Sequence, residues 1–372
     1  MIKLAHIEDI FNSPLPTQVS SLPVYGNFYT ALIALVFVIA ILSAAYFIIG
    51  RLPLSKKDKL TPWHEVALAK LTVTFILAGS AAAGWDVWWH RAVGRDRLFE
   101  PPHIFLYTFA SIAILLSIYG WYRTHKKSWK KIAGFISLIP ISAPFDNFWH
   151  IMFGVEDLSK PVSLSWSPPH MLLDIGAMMG LIMLVPILMH ERKETQRSFF
   201  IDLAFAAVMV MGLFLVMPFH PTEGWGQVAG FWGTGVFAAV IISVMIYSQK
   251  ILSGSYDVVR ITMYSLILMS ISYGKETAPG IILMPHDRQP FWLYVFAFMV
   301  SAIILDIFFK KLNPIARGAF AAGAWAAILF IFSPMFLDPQ FYYPISESAK
   351  TIISSIAGGG LAGFLISKIH KA

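Results

Sequence analysis

Apolar runs of about 20 residues recur from one end of this chain to the other, and each is long enough to cross the hydrocarbon core of a bilayer as a helix. Lipid offers the backbone no hydrogen-bond partner, so a spanning segment must be a helix or part of a closed barrel. The runs are continuously apolar rather than alternating, which favours helices. Only 13% of the residues are charged, where a soluble globular domain carries about 25%. Windowed hydropathy gives about eleven spans, near 27–49, 64–86, 103–122, 132–150, 169–189, 198–217, 229–248, 258–274, 291–309, 317–336 and 350–368. The sequence therefore predicts an all-α fold, a polytopic integral membrane helical bundle. It divides into an extracytoplasmic N-terminal segment (1–26), a transmembrane region with duplicated helical hairpins (27–190) and a second transmembrane region of unassigned role (191–372). The small-residue stretches Ala78–Gly84 and Gly358–Gly363 are expected to let helices approach closely.

The net charge of +7 does not point to nucleic acid, because the basic residues are concentrated in connections between apolar runs. Arg51 to Lys59, Arg123 to Lys131, Arg192 to Arg197, Lys310 to Arg317, and Lys368 with Lys371 all fall on one side when the connections alternate. The excess of Lys and Arg marks that side as cytoplasmic, with the N-terminus outside and the C-terminus inside. The connection carrying Arg91, Arg95 and Arg97 runs against the rule; Asp96 and Glu100 are near enough to pair with those arginines. Glu8, Asp9 and early prolines do not read as a cleaved signal peptide. The expected location is the cell membrane, multi-pass, in contact with the lipid bilayer and with other membrane subunits or further copies of the chain.

A motif occurs twice on the outward side, about 60 residues apart. The first copy runs Asp86, Trp89, His90, Gly94 and Asp96 to Pro101-Pro102-His103; the second runs Asp146, Trp149, His150, Gly154 and Glu156 to Pro168-Pro169-His170. Aspartate and the first histidine are i and i+4, on one helix face. Proline suits a first helical turn, where its missing N–H would be unpaired anyway. Each Pro-Pro-His therefore opens a helix and returns a second imidazole towards the first pair. Asp86, His90 and His103 form one candidate metal set, and Asp146, His150 and His170 the other. One carboxylate and two imidazoles suit copper, iron(II) or zinc, and do not choose among them. With no cysteine in the chain, thiolate ligands and disulfides are excluded. Ionisable groups near lipid are expensive and commonly functional. Further candidates as extra ligands or orienting groups are Asp174, four residues after His170, with Glu156, Asp157, Asp96, His220 and His286 on the outward side. Asp202 and Asp306 fall in or near spans, where they could line a polar path.

At these residues the chain resembles the C subunit of the copper membrane monooxygenases, the family of particulate methane and ammonia monooxygenases. Asp86, His90, Arg95, Asp96, Phe99, Pro102 and His103 follow that subunit's first motif. Asp146, His150, Glu156, Asp157, Pro168 and His170 follow the second more loosely, with Asp146 where the family has asparagine. The resemblance covers about residues 65–190. It implies copper as the cofactor and oxygen-activating oxidation of a small apolar substrate near the outer membrane face, by this chain or by a complex containing it. A metal-handling transporter and a non-catalytic assembly subunit are the alternatives.

Overall fold

A computed structural model describes residues 28–49, 51, 60–92, 100–153, 167–196, 199–216, 231–254, 256–272, 291–336 and 345–369. Those residues form helices and no strand: α1 Phe28–Ile49, α2 Pro62–Ala92, α3 Pro101–Thr124, α4 Lys127–Ile136, α5 Leu138–Phe153, α6 Pro168–Thr195, α7 Phe199–Val216, α8 Phe231–Leu252, α9 Asp257–Ser272, α10 Phe291–Ile307, α11 Pro314–Phe336 and α12 Ile345–Ile369. Five are long and apolar enough to cross a membrane, over Pro62–Asp86, Pro101–Thr124, Pro168–Thr195, Gly233–Leu252 and Ser348–Ile369. Large side chains such as Ile33, Phe37, Leu115 and Ile353 face outward uncovered, the arrangement that an apolar solvent permits.

Each expected apolar segment coincides with one helix except 132–150, which falls across α4 and α5. The reason is local. Pro140 lacks an N–H, so the Ile136 carbonyl has no i+4 donor and the helix breaks at Ser137, whereas Pro144 is carried inside α5. The Ser137 backbone N–H and hydroxyl both donate to the Ala133 carbonyl, at 3.0 and 2.7 Å, and Tyr46 of α1 reaches the same hydroxyl at 3.2 Å. Before the break, α4 is amphipathic. Trp129, Ile132, Ala133 and Ile136 are buried, while Lys127 and Lys131 are exposed.

Two apolar cores result. The first gathers α2, α3, α4 and α6 around Trp129, Ile136, Leu181 and Leu184. The second gathers α8, α10, α11 and α12 around Met245, Ala322 and a stack of Phe237 on Trp325 with centroids 5.0 Å apart. Helix α7 belongs to both: Ile201 and Phe205 enter the first core, Met209 and Val216 the second. Helices α8 and α9 also reach both, with Leu252 and Ile261 in the first core and Met245 and Val258 in the second, so the two cores meet along α7, α8 and α9.

The two small-residue stretches differ in use. A Cβ at Gly79 would meet only ordinary contact, 3.6 Å from Leu106. At Gly359 it would overlap the Gly318 carbonyl of α11, and at Gly358 the Gly235 carbonyl of α8. Helix α12 thus lies backbone to backbone against two neighbours, which is where absent side chains are required. Gly359→Ala is expected to lower stability by about 1–3 kcal/mol, the cost of overpacking. Gly360→Ala, whose Cβ would sit 3.7 Å from Ala319, is expected to be neutral or slightly stabilising through helix propensity. Thermal unfolding of the purified protein in micelles checks both.

Candidate metal centres

Helices α2 and α3 pack as an antiparallel hairpin, and so do α5 and α6. In each hairpin the aspartate stands near the end of the first helix and the histidine in the first turn of the second. Both second helices begin with proline at the first positions and an extended residue before them: Glu100 at φ −66°, ψ 153° and Ser167 at φ −63°, ψ 136°. The same backbone entry therefore delivers His103 and His170.

The consequence is a pair of cross-hairpin contacts. His103 Nε2 lies 3.2 Å from Asp86 Oδ1, and His170 Nε2 lies 3.6 Å from Asp146 Oδ1. The first pair is the more enclosed, with His103 9% exposed against 31% for His170. The two hairpins also touch one another, α2 against α6 and α3 against α5. Tyr107, one turn inside His103 on α3, packs its ring 5.7 Å from that imidazole and lies within electrostatic range of both Asp86 and Asp146. The two pairs therefore share one end of the bundle, with a phenol in electrostatic reach of both carboxylates. Asp174, one turn inside His170, occupies on α6 the place that Tyr107 holds on α3, and its charge interacts with His170.

His90 and His150 continue α2 and α5 one turn past each aspartate, but their side chains lie outside the described part of the structure. Asp96, Glu156, Asp157, His220 and His286 lie outside the described residues. Among the described residues no group of three or more histidines and carboxylates converges as a metal site; what is brought together is two Asp–His pairs. The donor chemistry of each pair, one carboxylate oxygen and one imidazole nitrogen, fits copper, iron(II) or zinc.

Two residues of this region were not picked out in the sequence. The Ser167 hydroxyl lies 2.7 Å from His170 Nδ1 and is buried. A serine three residues before a helix-opening histidine was the available signal. Tyr107 carries a fainter one, its i+4 spacing from His103.

The carboxylates at the opposite end serve the fold. Arg260 donates to both Asp202 oxygens, at 2.6 and 3.0 Å, and to Asp257 at 2.8 Å. Asp306 accepts from the Gln249 amide at 2.9 Å and from the Val259 N–H at 3.0 Å, so it caps the start of α9 from another helix. Lys126–Glu65 and Lys70–Glu191 pairs, each 2.6 Å, lie at that end too. Asp202 and Asp306 are thus committed partners of neighbouring helices.

Comparison with known proteins adds no assignment: no family model matches the chain, and neither a curated protein nor a solved structure matches it.

Arg260→Ala removes the guanidinium that donates to both oxygens of Asp202, a residue 1% exposed, while Asp257 keeps Arg192 at 3.6 Å. Breaking such a pair is expected to cost about 3 kcal/mol, read as a lower denaturant midpoint in micelles. Tyr107→Phe, which removes a hydroxyl and keeps the ring, is expected to leave the midpoint nearly unchanged.

Proposed function

We propose that this chain is a polytopic membrane metalloprotein related to the C subunit of the copper membrane monooxygenases, holding two metal ions near the outer end of its bundle. The observation that carries the reading is the twofold juxtaposition of an aspartate and a helix-opening histidine: Asp86 with His103 and Asp146 with His170. These partners come from different helices, and the same arrangement occurs in both hairpins. In this reading His90 and His150, on the aspartate faces of their helices, complete the two sets. The aspartates would offset part of the cation's charge where the dielectric is low, and the imidazoles would supply neutral nitrogen donors. Copper bound there would supply a redox-active centre for oxygen-dependent oxidation of a small apolar substrate, by this chain or by a complex of which it is a subunit. The apolar helices around the pairs suit such a substrate.

The placement of the pairs at helix ends counts against translocation through the bundle, for which a midplane site between broken helices is expected. The proposed topology has eleven spans, α4 and α5 together forming one, with the N-terminus outside and the basic connections in the cytoplasm. It is supported by the separation of the Asp–His pairs from the Lys–Glu and Arg–Asp pairs, which occupy opposite ends.

Metal analysis and EPR of protein purified without chelators test the centres. About two coppers per chain are expected, falling to about one in Asp86→Ala and in Asp146→Ala, because loss of a ligand removes its own site. Iron or zinc in the same pattern would replace copper as the metal, and no bound metal would overturn the reading. The absence of cysteine gives a clean test of topology. A cysteine introduced at Ser159 is expected to react with a membrane-impermeant maleimide on intact cells, and one at Lys193 only after lysis. The reverse pattern would overturn the orientation.

A further inference from the structure

We infer that the basic end of α11 and α12 is a seat for one phospholipid with an anionic head group, its phosphate between Lys311 and Lys368 and one acyl chain in the groove between the two helices. The seat lies at the end of the bundle away from the Asp–His pairs and is independent of any metal there. The register of the two helices is set by their backbones. A Cβ at Gly318 would overlap the Gly359 carbonyl, and one at Gly363 the Pro314 carbonyl. The helices therefore run antiparallel, with the start of α11 beside the last turns of α12. Lys310 and Lys311 precede that start, and Lys368 follows Gly363 in the last turn of α12. Lys250, near the end of α8, joins the same region by donating to the Ile366 carbonyl at 2.8 Å.

The charge there is one-sided. The last turns of α8, α10 and α12, the turn after α10 and the first turn of α11 carry Lys250, Lys310, Lys311, Arg317 and Lys368 against a single acid, Asp306. Asp306 is already engaged by the Gln249 amide and the Val259 N–H. Arg317 is held against the turn, 3% exposed, donating to the Phe309 carbonyl at 3.0 Å. Lys310, Lys311 and Lys368 are exposed. Lys311 Nζ stands 5.9 Å from the centre of the Phe308 ring, and Lys368 Nζ 5.4 Å from that of Phe364. A lysine folded in this way keeps its stem on apolar surface and its ammonium at the level of the head groups. Basic clusters of this size at the ends of spanning helices attract anionic lipid.

The apolar half of the seat follows from three consecutive glycines of α12. Gly358 and Gly359 are used in the close approach to α8 and α11. Gly360 is not, because a Cβ there would meet only ordinary contacts, 3.7 Å from Ala319 and 3.8 Å from Ile315. Its missing side chain leaves a groove with Gly360 as the floor. Ile315 and Ala319 of α11 form one wall. Ile356 and Phe364, one turn either side of Gly360, form the other. Ile315, Ile356 and Phe364 are all exposed, and Lys368 stands one turn beyond Phe364 at the mouth. A lipid whose phosphate is held by the lysines therefore has its chain led along uncovered apolar surface. A zwitterionic head group would bring its own cation to the same lysines, so the seat selects an anionic lipid.

The test is titration of dioleoyl phosphatidylglycerol into the delipidated full-length protein in micelles, read by native mass spectrometry, with dioleoyl phosphatidylcholine alongside. One phosphatidylglycerol per chain is expected to bind about 25-fold more tightly than phosphatidylcholine, at about fivefold for each of the two lysines. Lys311→Gln with Lys368→Gln should remove that preference, and Lys311→Arg with Lys368→Arg should keep it. Lys127→Gln with Lys131→Gln, which removes the same charge from the exposed face of α4, should leave it intact. Each single glutamine variant, expected to lose about fivefold, decides the matter if the double variant does not fold. Gly360→Leu keeps every charge and fills the groove. It should weaken phosphatidylglycerol binding while thermal unfolding without lipid stays near that of wild type. Excess inorganic phosphate, which has no chain, should not displace the lipid. Equal binding of the two lipids would mean an ordinary lipid shell, and equal losses in the α4 and α11–α12 lysine variants would mean diffuse attraction; either overturns the inference. Unchanged binding in Gly360→Leu, or displacement by phosphate, would overturn the groove as the place of the chain.

Discussion

A carboxylate placed among apolar helices carries a desolvation cost of several kcal/mol unless the fold supplies a partner, and this chain meets that demand in two ways. At one end the partners are permanent cations and backbone donors. Arg260 grips Asp202 at 2.6 Å, Lys126 meets Glu65 at 2.6 Å, and the start of α9 satisfies Asp306. At the other end the partners are imidazoles at 3.2 and 3.6 Å. The contrast is chemical as well as geometric. A guanidinium or ammonium has no lone pair to offer, so it can only hold its carboxylate. An imidazole can be neutral or charged near physiological pH and can ligate a metal. One end is therefore tied together by fixed pairs, while the other holds acids in contacts that a cation can share.

The apolar runs made the helices legible because burial among helices and exposure to lipid both ask for unbroken apolar sequence. The Asp–His pairings were legible for a different reason. Two prolines before His103 and His170 mark helix starts, the i, i+4 spacing orients each aspartate, and a short hairpin must then bring the two together. What escaped was whatever depends on an unpaired carbonyl or a distant partner. A hydropathy average runs across Pro140 and does not register the missing donor that breaks the helix at Ser137. Asp202 and Arg260 are 58 residues apart, and nothing in the local pattern of either discloses the other, so Asp202 read as a candidate for a polar path. Ser167 looks like an ordinary residue before a helix, and only its geometry shows the hydroxyl turned towards His170.

Duplication explains why the backbone of the two hairpins agrees while their surroundings do not. Residues 100 and 167 keep nearly the same angles, because the proline-led helix start requires an extended residue before it. Side chains one turn away are under no such constraint. Position i+4 from the histidine is Tyr107 in one hairpin and Asp174 in the other, and the residue three before it is Glu100 or Ser167. Tyr107, Asp174 and Ser167 each meet or interact with an imidazole, so divergence there alters each pair without disturbing the hairpin that presents it.

The pairs are nonetheless not independent. Tyr107 lies within electrostatic range of Asp86 and Asp146 together, in a region where charges interact more strongly than in water. A charge gained at either pair changes the potential at the phenol and, through the same weakly screened medium, at the other pair.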